Sequence, residues 1–228
     1  NGRLDLAISS FNEALRVNPE FATGYYYRGL AYRNTGNSDQ ALSDYDRSIS
    51  IDPDYAAAYY AKGVVLRQSG DFHQAILEYN QAIDLLPEDP DFFYARGVAH
   101  ASLSHYDQAI SDFESAISFN PNMPNALYNL GIAYRDLGNR ESAVSYYRQA
   151  IQLRPQDPDY RYALGNIYSD LGDYQEAVNE YDEAIYSVPG FANALYNRGI
   201  AKHNLGEFLS AIQDFDVSEI NGLNTTKL

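Results

Sequence analysis

One glycine returns every 34 residues along this chain, at Gly29, Gly63, Gly97, Gly131, Gly165 and Gly199. An alanine keeps the same interval at Ala41, Ala75, Ala109, Ala143, Ala177 and Ala211. A ring follows it at Tyr45, Tyr79, Phe113, Tyr147, Tyr181 and Phe215, and prolines close five of the units at Pro53, Pro87, Pro121, Pro155 and Pro189. A period of this length restricts the chain to a stack of like units, each burying its apolar face against its neighbours.

Within a unit, apolar residues recur at helical spacing, as in Leu127, Leu130 and Tyr134 and then Ala143, Tyr147, Ala150 and Ile151. Leu137-Gly138-Asn139 breaks the two runs. Each unit therefore reads as a helix A, a tight turn and a helix B. Pro90, Pro124 and Pro158 suit the first turn of helix A, where a missing N–H costs nothing. The recurring glycine and alanine are small enough to let the two helices approach closely.

These residues resemble the pattern of the tetratricopeptide repeat (TPR) family: a large residue, leucine-glycine, tyrosine, alanine, an aromatic, alanine and proline over one period. The resemblance implies an all-α, right-handed superhelical solenoid of antiparallel helix pairs, with A helices lining a concave groove and B helices forming the convex face. It divides the chain into a half repeat at 1–21, consisting of helix B only, and repeats at 22–55, 56–89, 90–123, 124–157, 158–191 and 192–220, with a tail at 221–228. The last repeat is degenerate, with Glu219 in place of isoleucine and no closing proline. Ser104 replaces the turn glycine of the third repeat and Arg161 takes a large apolar position in the fifth, so local distortion is expected at both.

Composition narrows the function. A formal charge of -15 disfavours non-specific nucleic-acid binding, because a phosphate backbone needs a basic surface to release its counterions. The absence of cysteine removes disulfides, thiolate metal sites and cysteine nucleophiles. No apolar run approaches the roughly 18 residues of a membrane span, so no direct membrane insertion is expected. His73, His100, His105 and His203 have neither a neighbouring serine nor metal-ligand spacing, and every glycine has a repeat-level explanation. No catalytic residue, metal or cofactor is expected. Asn224-Thr225-Thr226 matches a glycosylation acceptor, a triplet that also arises by chance. The start at Asn1-Gly2 inside an amphipathic pattern points to a piece of a longer protein; the chain reads as soluble, with the cytoplasm as the default compartment.

Numbering each repeat from its start, a helical wheel puts positions 2, 5, 6, 9, 12 and 13 on the groove side, opposite a packing stripe at 4, 8 and 11. Position 5 is tyrosine throughout: Tyr26, Tyr60, Tyr94, Tyr128, Tyr162 and Tyr196. Such a column offers an extended peptide flat faces and hydroxyl partners; equally, the rings pack against neighbouring A helices. Arg33, Arg67 and Arg135 at position 12 suit partner carboxylates, or stand as solvated charges. Asn129 and Asn197 at position 6 and Asn166 at position 9 suit a ligand backbone. With Asp136, Asp159 and Asp170 nearby, a bound segment would present acidic residues to the N-terminal repeats and basic or neutral ones to the fourth and fifth. The lysine and asparagine clamp of the family's chaperone-binding members is not matched, since tyrosine fills position 5 and position 2 has no lysine.

Position 7 carries Arg28, Lys62, Arg96 and Arg198, and sixteen residues later stand Asp44, Glu78, Asp112 and Asp214. This co-occurrence predicts a salt bridge inside each pair of helices. The A-helix segments hold nine bases and four acids, an excess that these bridges reduce.

The resemblance implies a protein-interaction scaffold that binds a protein or peptide in its groove. The alternatives are a recruiting or regulatory region of a larger enzyme, and an oligomerisation module. Leu4, Ile8 and Phe11 lack a covering helix A, so weak self-association through exposed repeat ends is expected.

Overall fold

A computed structural model describes residues 2–225, with side chains described to residue 222. Thr226 of the Asn224-Thr225-Thr226 triplet lies outside them, as does the end of the 221–228 tail. The described residues form thirteen α-helices and no strand. They fall into two compact units, residues 1–121 and 122–228.

The first unit holds α1 (Gly2–Val17), α2 (Ala22–Asn34), α3 (Ser38–Ile51), α4 (Ala56–Gln68), α5 (Phe72–Leu85), α6 (Pro90–Ser102) and α7 (Tyr106–Phe119). Helices α2 with α3, α4 with α5 and α6 with α7 pack as hairpins, and each B helix also packs on the following A helix. The second unit holds α8 (Pro124–Asp136), α9 (Arg140–Leu153), α10 (Pro158–Leu171), α11 (Tyr174–Ser187), α12 (Ala192–Asn204) and α13 (Phe208–Thr225), paired in the same way. Helix α13 is one continuous helix as far as Thr225.

The recurring glycine meets the recurring ring in every hairpin. A Cβ built on Gly29 would lie 2.6 Å from Tyr45 Cε1, and one on Gly131 or Gly165 equally close to Tyr147 or Tyr181. Those rings are fully buried. Any larger residue at the glycine would push the helices apart.

Positions 3, 8 and 10 form the tightly buried stripe of helix A, as with Ala58, Gly63 and Val65 or Ala126, Gly131 and Ala133. This corrects the stripe at 4, 8 and 11. Positions 4 and 11 are mostly half-buried, whereas 3 and 10 pack on the preceding repeat, Phe92 against Ala82 and Ile83 and Val65 against Ala41 and Tyr45.

The turn between helices keeps one geometry. Gly36, Gly70, Gly138, Gly172 and Gly206 all have φ between 80° and 86°. Ser104 takes φ 59° at the same place, and the hydrogen bonds persist: Ser104 N–H donates to Ala101 O (2.9 Å) and His105 N–H to His100 O (2.9 Å). The expected distortion is absent; strain confined to one residue replaces it. Arg161 causes no distortion either, because its Nη1 donates to Glu180 Oε2 at 2.8 Å.

The charges at position 7 bridge further than one hairpin. Arg28 binds Asp44 (2.6 Å) and Asn12, Arg96 binds Asp112 (2.6 Å) and Asn80, and Lys62 binds Glu78 and Asp46, both at 2.8 Å. Arg198 joins Asp214 and Asp182, with Lys202 also on Asp214 at 2.9 Å. Each base thus ties its own B helix to the preceding one. Where Leu130 replaces the base, Tyr146 stacks on Tyr134 at 5.4 Å. Where Leu164 does, Arg161 supplies the charge for Glu180.

Two outcomes follow. Gly165→Ala should lose about 1–3 kcal/mol in chemical denaturation, whereas Ser104→Gly should gain about 0.5–1 kcal/mol by releasing the left-handed serine. Burial alone would raise the pKa of Asp214, but hydrogen bonds from Arg198 and Lys202 outweigh it and hold the carboxyl below its ordinary value. A depressed folded-state pKa contributes stability above the unfolded value that is lost as pH falls through the folded one. Acid titration of stability should therefore be shallower below about pH 4 in Asp214→Asn than in the wild type.

Candidate functional site

The six position-5 tyrosines lie on the A-helix faces, half-buried except for Tyr196, which is 53% exposed. In the first unit Tyr26 meets Tyr55 edge-on at 5.1 Å, and Tyr60 stacks on Phe92 at 4.9 Å. In the second, Tyr128 packs on Tyr160 at 4.8 Å and Tyr162 on Phe191 at 5.1 Å. Each also leans on a position-24 ring of its own repeat, as Tyr94 does on Phe113 at 6.0 Å. Burial raises the phenol pKa of Tyr26, Tyr60 and Tyr128. The rings thus pack on their neighbours while part of each residue stays exposed.

In the second unit, Asn166 Oδ1 accepts from Tyr181 Oη and from Asn197 Nδ2, both at 2.8 Å. Asn197 Nδ2 also donates to Tyr162 Oη at 3.1 Å. Asn166, Tyr181 and Asn197 line a pocket of about 260 Å³ with Ser169, Asp170 and Ile200. Among the described residues the network leaves Asn166 Nδ2 and Asn197 Oδ1 without a partner, one donor and one acceptor, which is the complement of a peptide group. Asn129 is half-buried on α8. Asn125 is engaged, its Oδ1 accepting from Tyr160 Oη at 2.6 Å.

The position-12 arginines differ. Arg135, beside Tyr147, donates from Nε to Asp136 Oδ1 at 2.8 Å and so is matched by its sequence neighbour. Arg33 and Arg67 are half-buried and have no carboxylate partner among the described residues. Sequence reasoning missed the position-24 phenols. The hydroxyls of Tyr45, Tyr79 and Tyr147 are buried without a hydrogen-bond partner, and burial pushes Tyr45 and Tyr79 up to about 12. Only the tyrosine or phenylalanine choice at that position carried a signal.

Profiles described as TPR repeat match residues 63–104, 100–138, 132–172 and 165–206, and profiles described as tetratricopeptide repeat match 1–56 and 44–77. The chain belongs to the tetratricopeptide repeat family. Among solved TPR structures, YrrB, described as a TPR protein with an unusual peptide-binding site, is 25% identical, with a TM-score of 0.70 over 81% of this chain and 95% of that one. PilF of Pseudomonas aeruginosa has a TM-score of 0.75 at 20% identity over 90% of both chains, and a TPR protein from Parabacteroides merdae 0.72 at 22% over 97% of this chain and 88% of its own. No curated protein matches the sequence. No helix among the described residues is long and apolar enough to cross a membrane.

If the TPR tyrosines pack as described, Tyr60→Ala and Tyr128→Ala should each cost about 2–4 kcal/mol of stability, and Tyr196→Ala under about 1, by urea denaturation.

Proposed function

We propose that the chain is a non-catalytic interaction scaffold that holds an extended peptide segment along its A-helix faces, using the position-5 tyrosine hydroxyls and edges with Asn129, Asn166 and Asn197. The observation that carries this reading is the spare donor and acceptor of the Asn166–Asn197 pair in an open pocket beside Tyr162 and Tyr181. Polar groups held by neighbours in this way are already ordered, so binding loses less entropy. The peptide-binding site named for YrrB supports the reading, since that chain shares this fold over most of its length. Asp170 beside the pocket favours a basic or neutral residue there.

A second reading, self-association through the repeat ends, draws on exposed apolar residues: Leu6 is 70% exposed on α1 and Leu209 81% on α13. Glutamine at 209, the residue that the preceding repeat carries as Gln175, should abolish any concentration-dependent sedimentation.

A phage-displayed peptide library selected on the immobilised chain provides the test. Affinity of a selected peptide, by calorimetry, should fall about tenfold or more in Asn166→Ala and Asn197→Ala, and about tenfold in Tyr196→Ala. Full-strength binding in all three would move the site off the A-helix faces.

A further inference from the structure

We infer that the pocket on α10 and α12 receives one arginine side chain of the bound segment, its guanidinium held by Asp170 as Arg135 is held by Asp136 one repeat earlier. The inference rests on the groove reading above and names the side chain that enters beside the amide pair.

The fifth repeat keeps one groove position of the fourth and changes two others. Position 13 is aspartate in both, Asp136 and Asp170. Position 12 is Arg135 in the fourth repeat and Ser169 in the fifth, and position 9 is Ile132 in the fourth and Asn166 in the fifth. In the fourth repeat the arginine satisfies the acid, with Arg135 Nε donating to Asp136 Oδ1 at 2.8 Å and Nη2 lying 2.7 Å from the same oxygen. In the fifth, a small hydroxyl stands where that guanidinium would be, and Ser169 and Asp170 line an open space of about 260 Å³ instead. The carboxylate has been kept and its cation removed.

Among the described residues nothing replaces that cation. Asp170 is exposed and makes neither an ion pair nor a hydrogen bond. The bases at the ends of α8 and α12 are engaged elsewhere: Arg135 on Asp136, and Lys202 on Asp214 at 2.9 Å. His203 lies edge-on against Phe208 at 5.3 Å.

Size and lining select the occupant. The pocket falls short of the roughly 300–1,000 Å³ of small-molecule sites and suits a single side chain. Its wall combines the Asp170 carboxylate and the Ser169 hydroxyl, both acceptors, with the apolar side chain of Ile200. A guanidinium presents a planar fork of donors that meets a carboxylate through two parallel bonds, and its stem packs on apolar surface. An ammonium is a compact point charge without that fork. Asn166 and Asn197 remain for the main chain, because Asn166 Oδ1 already accepts from Tyr181 and Asn197, and burial raises the Tyr181 phenol pKa so that it keeps the proton it donates.

The test is fluorescence anisotropy at physiological ionic strength with a fluorescein-labelled peptide of alternating Arg and Ala. Counterparts carry Lys, or citrulline, which has the shape of arginine without its charge. The Arg peptide should bind, the Lys peptide about threefold more weakly and the citrulline peptide at least about tenfold more weakly. A chain of net charge -15 attracts any cationic peptide, so the site is separated from the general field by two variants of equal charge. Asp170→Asn should weaken the Arg peptide about tenfold, and Glu141→Gln, at an exposed position of α9, less than about twofold. Ser169→Arg should weaken it about tenfold with the fold intact, since Arg135 fills that position naturally. No binding of the Arg peptide, equal affinity for its Lys or citrulline counterpart, equal losses in Asp170→Asn and Glu141→Gln, or no effect of Ser169→Arg would overturn the inference. If library-selected peptides depend on Asn197 but not on Asp170, the groove reading stands and this one fails.

Discussion

The contact between a bare glycine backbone and an aromatic ring sets everything else in these repeats. At Gly63 or Gly165 a Cβ would sit 2.6 Å from the ring of Tyr79 or Tyr181, so the ring lies directly on the A helix. Close packing of this kind has no slack, because interiors are as dense as organic crystals. It fixes the distance between the helices of each pair and also their rotation. A ring rooted on helix B then crosses the hairpin and delivers its hydroxyl to the A-helix side. Tyr181 shows the result, with its oxygen bonded to Asn166 on α10.

The charged layer at position 7 complements that contact by tying the first, second, third and sixth repeats to the B helix before them. Arg198 touches Asp182 on α11 as well as Asp214 on α13, and Lys62 touches Asp46 on α3 as well as Glu78 on α5. Removing one member would strand a charge that is largely out of water, which costs far more than breaking a surface pair. The same pairing neutralises most of the positive charge on the A helices. In the first unit Arg33 and Arg67 are left with no carboxylate among the described residues.

Periodicity made the helix pairs, the glycine–ring contact and the four position-7 bridges legible, since each depends on residues within one repeat. Features that depend on neighbouring repeats were not legible. Packing of the tyrosine column on neighbouring A helices was one of two readings the sequence allowed, but a helical wheel treats helix A as a lone cylinder and could not name Phe92 and Tyr160 as the rings that meet Tyr60 and Tyr128. Nor could it show that Asn197 reaches back to Asn166 and Tyr162 in the repeat before. Ser104 and Arg161 were read as faults because pattern matching compares residue types. The backbone asks only for a tolerable φ at the one and a partner within reach at the other.

On the proposed reading, a uniform tyrosine column carries no information about which partner binds, because every repeat offers the same ring. With the ring faces mostly covered by neighbours, the column can contribute contact area and hydroxyls but little discrimination. Selectivity then has to come from the residues between the rings, and these differ in kind between the units. The first has Arg33 and Arg67 with no carboxylate among the described residues, while the second has a pair of side-chain amides next to Asp170. On the proposed reading, a partner matched to the second would present main chain with basic or neutral flanks. Repetition fixes the scaffold, and the departures from repetition fix what it can recognise.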